Sequence, residues 1–141
     1  MCGIAGIVSK QQPYGEYAMS RMLEALKFRG PDDEGTYESA GIILGQRRLS
    51  IIDLQGGHQP IANESKTLWL VCNGEIYNYR VLREDLIKRG HTFSTHSDSE
   101  VILHLYEEEG ENCVDELRGM FSFAIWDEEK QQLFAARDRL G

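Results

Sequence analysis

The apolar run at the start of the chain constrains its fold more than any other feature of the sequence. Residues 2–8 read Cys-Gly-Ile-Ala-Gly-Ile-Val, and a polar segment over residues 11–15 follows them. A short apolar run that ends in such a segment predicts a buried β-strand over residues 2–9. A cysteine at the head of this strand is by default a small core hydrophobe, so Cys2 needs support from the rest of the sequence before it counts as reactive.

A second interpretation of Cys2 depends on its position directly after Met1. Removal of the initiator methionine would leave a thiol and a free α-amino group on the same residue. These groups titrate near pH ~8.5 and ~8 respectively, so the amine can act as the local base that activates the thiol. Cys2 would then need no second base residue, whereas retention of Met1 would block the amine.

The bulk composition predicts one globular domain and argues against several classes of partner. A chain of 141 residues with 41% hydrophobic residues is long enough for one packed core. The net charge of −8, from 15 basic and 23 acidic residues, provides no basic surface for nucleic acid or for an anionic membrane. No run approaches the roughly 18 apolar residues of a membrane span, and no secretory signal is visible, so we expect a cytoplasmic protein.

The cysteines and histidines predict neither a disulfide nor a metal site. The cysteines are Cys2, Cys72 and Cys113, and the histidines are His58, His91, His96 and His104. Three thiols leave one over in any pairing and show no C-x-x-C spacing, which is typical of a reducing compartment. The histidines lack the i, i+4 spacing of a helical metal site and are interpreted as polar surface.

Three segments have the sequence signals of helices. An apolar stripe at i, i+3, i+4 and i+7 predicts a helix over residues 19–26, which the Gly-Pro pair at residues 30–31 ends. Residues 81–90 predict a short helix with a glycine at its end. The S-x-x-E spacing of residues 97–100 predicts a capping box that starts a third helix, and the acidic run over residues 107–111 is interpreted as its solvated end.

Further strands are predicted over residues 42–53, 67–72, 120–127 and 133–137. The first contains two adjacent arginines, whose side chains point to opposite faces if the segment is a strand. The Asn-Gly dipeptide that follows residue 72 favours a tight turn, so it is expected to end the second strand. The four polar residues between the last two strands are typical of a hairpin loop.

Six segments of the sequence together resemble one family. They are Met1-Cys2-Gly3-Ile4, Arg29-Gly30-Pro31-Asp32, Arg48-Leu49-Ser50-Ile51-Ile52-Asp53, Asn73-Gly74-Glu75-Ile76-Tyr77-Asn78, Ser97-Asp98-Ser99-Glu100-Val101 and Arg137-Asp138-Arg139-Leu140-Gly141. In this order and spacing the chain resembles the class II glutamine amidotransferases from residue 1 to residue 141. The third and fourth segments are similar to the asparagine synthetase branch of that family.

The resemblance implies an α+β fold of the N-terminal-nucleophile hydrolase type. In this fold, two antiparallel sheets pack face to face between two helical layers, as a four-layer αββα sandwich. The family's glutaminase domain continues some tens of residues past the Arg-Asp-Arg-Leu-Gly segment, and a synthetase domain follows it. We therefore expect residues 1–141 to be a glutaminase domain that is incomplete at its C-terminus, with the synthetase domain absent and with an uncovered edge that favours a homodimer.

The resemblance also implies a chemistry. Cys2 attacks the side-chain amide of glutamine and forms a γ-glutamyl thioester, while Asn73 and Gly74 form the oxyanion hole. Water then releases glutamate, and the ammonia normally feeds the synthetase domain. No cofactor is expected for the glutaminase domain, since ATP and Mg²⁺ are implied only for the absent synthetase domain.

Three further residues are implied to hold the substrate. Arg48 pairs with the α-carboxylate through its planar guanidinium, and Asp98, with Glu75 nearby, accepts the α-ammonium. Each has a simpler alternative, since a lone arginine is typical of a surface ion pair and Asp98 of a carboxylate in the first turn of a helix. For the whole chain, the alternative to an enzyme is a non-catalytic glutamine-binding or regulatory module in which Met1 is retained.

Overall fold

Two sheets and four α-helices make up the part of the chain that the structure describes. The structure is a computed structural model, and it describes residues 2–9, 15–50 and 57–141, without the side chains of residues 15 and 16. In chain order the elements are β1 (Gly3–Val8), α1 (Gly15–Leu26), β2 (Asp33–Ser39), β3 (Ile42–Arg48), β4 (Ile61–Ala62), β5 (Leu68–Ile76), α2 (Tyr79–Lys88), α3 (Glu100–Glu109), a 3₁₀ turn (Gly110–Asn112), α4 (Cys113–Glu116), β6 (Gly119–Asp127) and β7 (Gln132–Arg137). None of the helices in these ranges is long and apolar enough to cross a membrane.

Both sheets are antiparallel, and their registers fix which residues face each other. The first sheet has the strand order β1-β3-β2, with Gly3 opposite Arg47 and Asp33 opposite Arg48. The second has the order β4-β5-β6-β7, and β5 pairs with β6 residue for residue along its whole length. Because the register is continuous, the direction of each side chain follows from the alternation along its strand.

The two sheets pack face to face through one side of β3 and one side of β5. Ile42 and Leu44 of β3 belong to the same buried cluster as Val71 of β5 and Trp126 of β6. The two residues from β3 are alternate positions on the strand, as the pleat requires. The space between the sheets continues along these same faces to the ends of β3 and β5.

Helices cover the outer face of each sheet. α1 packs Met19 and Leu23 against Ile43 of the first sheet. The largest core cluster joins the second sheet to α2, α3 and α4, and it includes Leu70, Phe123, Ile125, Leu86, Val101 and Ile102. The layer order is helix, sheet, sheet, helix, which confirms the α+β class and the αββα sandwich implied by the resemblance.

Most of the predicted elements are present, and two strands are not predicted at all. β1, α1, α2, α3, β6 and β7 lie where the sequence predicts them, and β3 confirms the first part of the strand over residues 42–53. The prediction that β1 is buried is wrong, because β1 is an edge strand of the described sheet in which Val8 is 60% exposed. The end of that strand, residues 51–53, lies outside the described residues, as do Met1 and the loop over residues 11–14. No strand is predicted at β2 or β4. β2 reads DEGTYES, which contains no apolar run, and it is a strand because each of its residues pairs with β3.

The prediction of a turn at Asn73-Gly74 is wrong. Both residues lie inside β5, opposite Ser122 and Phe121 of β6. Gly74 has a φ of 155°, and a Cβ on this residue would lie 2.2 Å from the Met120 carbonyl oxygen. Glycine is therefore required for the close approach of β5 to β6 rather than for a reversal of the chain.

Among the residues that the structure describes, no strand pairs with much of the second edge of β5, because β4 pairs only with Trp69 and Leu70. Beyond β4, side chains form hydrogen bonds with the backbone of β5. Gln46 Nε2 donates to the Cys72 carbonyl at 2.7 Å, and the Cys72 N–H donates to Gln59 Oε1 at 2.6 Å. Gln46 is only 1% exposed, so these two amides satisfy backbone groups that water does not reach.

Replacing Gln46 with leucine should destabilise the fold. Leucine is of similar size but leaves the Cys72 carbonyl buried without its donor, which typically costs about 1–3 kcal/mol. Chemical denaturation followed by circular dichroism should show this loss in the free energy of unfolding. The matched control is Gln132→Leu at an exposed position of β7, which should change that free energy by less than about 0.5 kcal/mol. Equal effects of the two substitutions would show that the Gln46 hydrogen bond contributes nothing specific.

Candidate active site

One cavity of about 440 Å³ lies where β1 begins and where β3, β5 and β7 end. Its wall includes all six residues singled out from the sequence, which are Cys2, Arg48, Asn73, Gly74, Glu75 and Asp98. These residues come from four separate segments of the chain. The fold therefore brings the whole predicted set to one space.

Cys2 is held in the cavity wall through both its sulfur and its main chain. The Leu49 N–H donates to Cys2 Sγ at 3.4 Å, and Arg29 Nε donates to the Cys2 carbonyl at 3.2 Å. The side chain is half-buried, whereas Cys72 and Cys113 are fully buried. The thiol of Cys2 therefore borders a cavity instead of filling the core, contrary to the default interpretation of its position.

Gly30 explains how Arg29 reaches Cys2. A Cβ on Gly30 would lie 2.4 Å from the Arg47 carbonyl carbon and 2.5 Å from the Arg48 nitrogen. The glycine thus lets the segment after α1 pass directly against the main chain at the end of β3. This close passage places the Arg29 side chain beside the first residues of β1.

Alternation along β5 directs the Asn73 and Glu75 side chains to the inter-sheet side. Val71 packs between the two sheets, and residues two and four positions further along a strand project from the same face. Asn73 and Glu75 accordingly line the cavity at the end of the inter-sheet space. The Cys72 side chain projects from the opposite face into the core cluster on the helical side of β5, and the residue also borders the cavity.

The same alternation directs the Gly74 N–H to the open edge of β5. The N–H groups of Cys72 and Ile76 both point to this edge, where they donate to Gln59 Oε1 and to Asp98 Oδ2. Gly74 lies midway between them and shares their parity, since alternate residues of an antiparallel strand direct their backbone groups to the same side. Its N–H therefore faces the part of the cavity between Gln59 and Asp98.

The adjacent arginines on β3 point in opposite directions, as predicted. Arg47 lies on the α1 side, where its Nη2 is 2.6 Å from Glu34 Oε2 and its Nε donates to the Leu23 carbonyl. Arg48 projects from the inner face of β3 and lines the cavity. Of this pair, only Arg48 is placed to contact a molecule in the cavity.

Asp98 places a buried carboxyl group in the cavity wall. Its residue is 4% exposed, and Oδ2 accepts the Ile76 N–H at 2.7 Å. Burial raises the pKa of this carboxyl above the usual aspartate range, the Ile76 N–H opposes that rise, and the nearby Glu75 adds to it. The charged form of Asp98 is therefore costly in the free protein, and a cation in the cavity would favour it.

The sequence placed Asp98 in the first turn of a helix with a capping box, and both predictions are wrong. Asp98 precedes the helix, since Ser99 is the N-cap residue of α3. Ser97 Oγ accepts the Ser99 N–H at 3.3 Å, but the Ser97 N–H donates to Thr95 Oγ1 and not to Glu100, so the reciprocal capping box does not form. The Glu100 carboxylate instead accepts hydrogen bonds from the N–H and hydroxyl groups of Ser94 and Thr95. These bonds fold the preceding loop onto α3 and so fix the position of Asp98.

The cavity wall also contains residues to which sequence reasoning gave no role. They include Leu49, Gly57, Gln59, Ser97, Ser99, Met120, Ser122, Arg137 and Asp138. The Asp138 carboxylate accepts the N–H groups of Phe121 and Gly141, which holds the end of β7 against β6. Asp138 could have been identified from the sequence, because it lies in the Arg-Asp-Arg-Leu-Gly segment that resembles the family. Gln59 has no comparable signal, because its bond to Cys72 exists only in the folded chain.

Comparison with known proteins agrees with this arrangement. A family profile described as a glutamine amidotransferase domain matches residues 1–141. Asparagine synthetase (glutamine-hydrolyzing) 3 of Bacillus subtilis (strain 168) is 48% identical over 145 aligned positions, which cover 100% of this chain and 24% of that protein. Asparagine synthetase B (glutamine-hydrolyzing) of Escherichia coli (strain K12) is 43% identical, with 100% of this chain and 26% of that protein covered. The chain thus spans about a quarter of the length of these curated relatives.

Solved structures share the fold at lower identity. The allosteric regulatory enzyme of purine biosynthesis has a TM-score of 0.61 and 24% identity, over 98% of this chain and 32% of that chain. Glutamine phosphoribosylpyrophosphate amidotransferase from B. subtilis, complexed with ADP and GMP, has a TM-score of 0.55 and 24% identity, over 68% of this chain and 23% of that chain. At this identity, the similarity establishes the layered sandwich alone.

Replacing Asp98 with asparagine should stabilise the substrate-free fold near neutral pH. Burial disfavours the charged carboxylate, whereas an asparagine oxygen can still accept the Ile76 N–H. A folded-state pKa above the unfolded one means that the cost of ionisation appears as the pH rises through these two values. The gain in melting temperature should therefore be present at neutral pH and vanish below the ordinary aspartate pKa of ~3.9.

Thermal melts of both proteins between acid and neutral pH measure this difference. Asp115→Asn is the matched control, because Asp115 is exposed and should give no pH-dependent gain in melting temperature. An Asp98→Asn variant that melts below the unsubstituted chain at neutral pH would contradict burial as the dominant influence on this carboxyl group.

Proposed function

We propose that this chain, which belongs to the glutamine amidotransferase domain family, hydrolyses the side-chain amide of glutamine to glutamate and ammonia. The observation that carries the proposal is the joint position of Cys2, Arg48, Asn73, Gly74 and Asp98 in the wall of one cavity of about 440 Å³. Small-molecule sites typically measure ~300–1,000 Å³. A nucleophile, oxyanion donors and two opposite charges around one such space are what an amino-acid amide requires.

Cys2 supplies the nucleophile, and its own α-amino group supplies the base. Removal of Met1 frees this amine, which takes the thiol proton as Sγ attacks the amide carbon. The amine then returns the proton to the leaving nitrogen, the carbon–nitrogen bond breaks, and ammonia departs from a γ-glutamyl thioester on Cys2. The same amine deprotonates a water molecule, which cleaves the thioester and releases glutamate and the thiol.

Asn73 and Gly74 supply the donors for the oxyanion that develops on the amide oxygen. The Asn73 side chain comes from the inter-sheet face of β5, and the Gly74 N–H comes from its open edge. Both border the cavity. Donors fixed by a strand need no reorganisation as negative charge develops, and the loss of one typically adds ~2.7–4 kcal/mol to the barrier.

Arg48 and Asp98 bind the two charges on the α-carbon of glutamine. A planar guanidinium can donate two parallel hydrogen bonds to the α-carboxylate, which fixes the orientation of the substrate as well as its position. The Asp98 carboxylate accepts the α-ammonium, with Glu75 beside it. The substrate cation would offset the cost of burial that raises the pKa of Asp98 in the free chain.

In the intact protein, we propose that the ammonia passes to a synthetase domain. The curated relatives are named glutamine-hydrolyzing asparagine synthetases, and they are about four times as long as this chain. ATP and Mg²⁺ would serve that further domain. The hydrolysis proposed for the present chain uses only its own side chains, its main chain and water.

Replacing Cys2 with alanine should abolish glutamine hydrolysis. The chain is first checked by intact-mass spectrometry for removal of Met1, then incubated with glutamine while glutamate is measured. The unsubstituted chain should produce glutamate, and added hydroxylamine should capture the thioester as γ-glutamyl hydroxamate. Cys2→Ala should give neither product, whereas Cys113→Ala, which removes a thiol from the helical side of the core, should retain both.

Two results would contradict this mechanism. Undiminished hydrolysis by the Cys2→Ala variant would remove Cys2 from the chemistry. Glutamine binding without turnover, in a folded chain that has lost Met1, would show that the free α-amine does not activate Cys2, whereas the same result in a chain that retains Met1 would support the non-catalytic binding module.

Replacing Arg48 with lysine should raise the KM for glutamine more than it lowers kcat. Lysine keeps the charge but loses the paired hydrogen bonds, and the loss of a hydrogen bond to a charged group typically costs ~1.5–3 kcal/mol, or roughly 10-fold to 100-fold in KM. Steady-state kinetics measure this split. Arg47→Lys is the matched control, because the neighbouring side chain lies on the α1 side and should leave KM unchanged. Equal increases in KM would show that Arg48 has no special role.

A further inference from the structure

A second cluster of chemically active side chains lies apart from the cavity wall. It gathers Glu64 from the turn after β4, His91 from the loop after α2, and His104 and Glu107 from α3. One donor atom from each of Glu64, His91 and His104 lies within 4.8 Å of the other two. The proposed hydrolysis uses none of these side chains, so the cluster requires its own explanation.

We propose that these four residues bind a transition-metal dication of the zinc type. His104 Nδ1 lies 2.8 Å from Glu107 Oε2 and 3.9 Å from Glu64 Oε2. His91 Nδ1 lies 3.4 Å from the same Glu107 oxygen. Donor atoms around a tetrahedral zinc ion, with bonds of ~2.0–2.2 Å, are about 3.3 Å apart. Glu64, His91 and His104 thus present three donor atoms within 4.8 Å of one another, and Glu107, whose Oε2 lies within 3.4 Å of both histidine Nδ1 atoms, is the fourth donor.

The outer ring nitrogens of both histidines face carboxylates. His91 Nε2 lies 2.9 Å from Glu108 Oε1, and His104 Nε2 lies 3.8 Å from Glu100 Oε1. A carboxylate behind an imidazole holds the proton on that side of the ring and leaves the lone pair of the other nitrogen for a metal. This arrangement directs Nδ1 of His91 to the centre of the cluster, and Nδ1 of His104 lies on the same side because it contacts Glu107 Oε2.

The two inner carboxylates are oriented in a similar way. Glu107 Oε1 accepts a hydrogen bond from Asn63 Nδ2 at 2.8 Å, and Glu64 Oε1 accepts the Thr92 N–H at 2.7 Å. In both glutamates the hydrogen bond is made to Oε1, and Oε2 is directed toward His104. His91, Glu64 and Glu107 are therefore each oriented by a hydrogen-bond partner on the far side, which is typical of metal sites, whereas His104 Nε2 is buried without a hydrogen-bond partner in the described part of the chain.

The charge of the cluster also favours a cation. Its carboxylates are those of Glu64, Glu100, Glu107 and Glu108, and they surround two imidazoles. The Arg89 guanidinium lies 3.6 Å from Glu108 Oε2 but pairs more closely, at 2.6 Å, with Asp85. Even with both imidazoles protonated, carboxylates remain in excess. A dication that displaces both imidazole protons brings the same two positive charges, so an excess of carboxylate remains that stabilises the ion.

The donor types and burial define the kind of site. Imidazole nitrogens with carboxylate oxygens suit Zn²⁺, whereas Mg²⁺ and Ca²⁺ take oxygen donors. His104 is 0% exposed and the His91 side chain 14%, while the Glu64 side chain is 43% exposed and leaves a route for the ion. Four donors from the protein make a closed site, which is typical of a structural ion. Such an ion would fasten the β4–β5 turn and the loop after α2 to α3.

Metal binding is tested on the full chain with Cys2→Ser, which removes the cavity thiol as a competing ligand. After treatment with a chelator, Zn²⁺ is titrated by calorimetry, and the visible absorption of added Co²⁺ reports whether the ion is four-coordinate. One ion per chain is expected, with a melting temperature that rises with Zn²⁺ concentration. Glu108→Gln should weaken Zn²⁺ binding ~10–100-fold, and His91→Gln should weaken it further and abolish the rise in melting temperature.

His58→Gln is the matched control, because His58 is an exposed histidine that pairs with Asp33. Its Zn²⁺ affinity should equal that of the parent chain. The proposal is overturned if the folded, metal-stripped chain binds no stoichiometric Zn²⁺. It is also overturned if His91→Gln, folded by circular dichroism, binds as tightly as the parent, or if His58→Gln loses as much affinity as His91→Gln. Glutamine hydrolysis is assayed separately with Cys2 intact, so failure of one proposal does not affect the other.

Discussion

The open edge of β5 is the constraint on which the active site depends. A strand with partners on both sides would use all of its N–H and C=O groups in the sheet, but in the described ranges 2–9, 15–50 and 57–141 only the short β4 pairs with this edge of β5. Beyond β4, the side chains of Gln46, Gln59 and Asp98 satisfy the backbone at Cys72 and Ile76. Gly74 lies between these two residues. A full-length fourth strand would leave no main-chain donor for a substrate, so the shortness of β4 is as important to the proposed chemistry as the identity of Gly74.

Local sequence patterns predict those elements whose own side chains decide their structure. The stripe on α1 has the helical period, and the apolar runs of β1, β6 and β7 have the length and composition of strands. β2 carries no such pattern, because it is a polar edge strand whose conformation comes from pairing with β3. The turn predicted at Asn73-Gly74 is wrong for a related reason. The same dipeptide serves a tight turn or a close strand contact, and only the neighbouring β6 decides between them.

The six site residues could be identified from the ordered motifs in the sequence. The positions of their side chains relative to one another could not be predicted in this way. The side chains of Arg47 and Arg48 lie on opposite faces of β3 because side chains alternate along a strand, and the sequence predicts this once the segment is identified as a strand. Gln59 and the loop bonds of Glu100 depend on contacts between distant segments and leave no local signal. The interpretation of the histidines as polar surface is wrong for His104, which is fully buried. A spacing rule tests pairs within one helix, whereas His91 and His104 are neighbours because the loop between α2 and α3 folds back on α3.

α3 links the cavity and the histidine cluster through a single side chain. One Glu100 carboxylate holds Ser94 and Thr95 in the loop that leads to Asp98, and its Oε1 also lies 3.8 Å from His104 Nε2, one helical turn further on. Glu100 is 1% exposed, so its charge must be compensated by these neighbours rather than by water. A change in the position of His104 therefore alters the partner of Glu100, and Glu100 fixes the loop that presents Asp98. Glu100 takes no part in the proposed reaction, but its buried carboxylate thus determines the position of Asp98, which binds the substrate in the proposed mechanism.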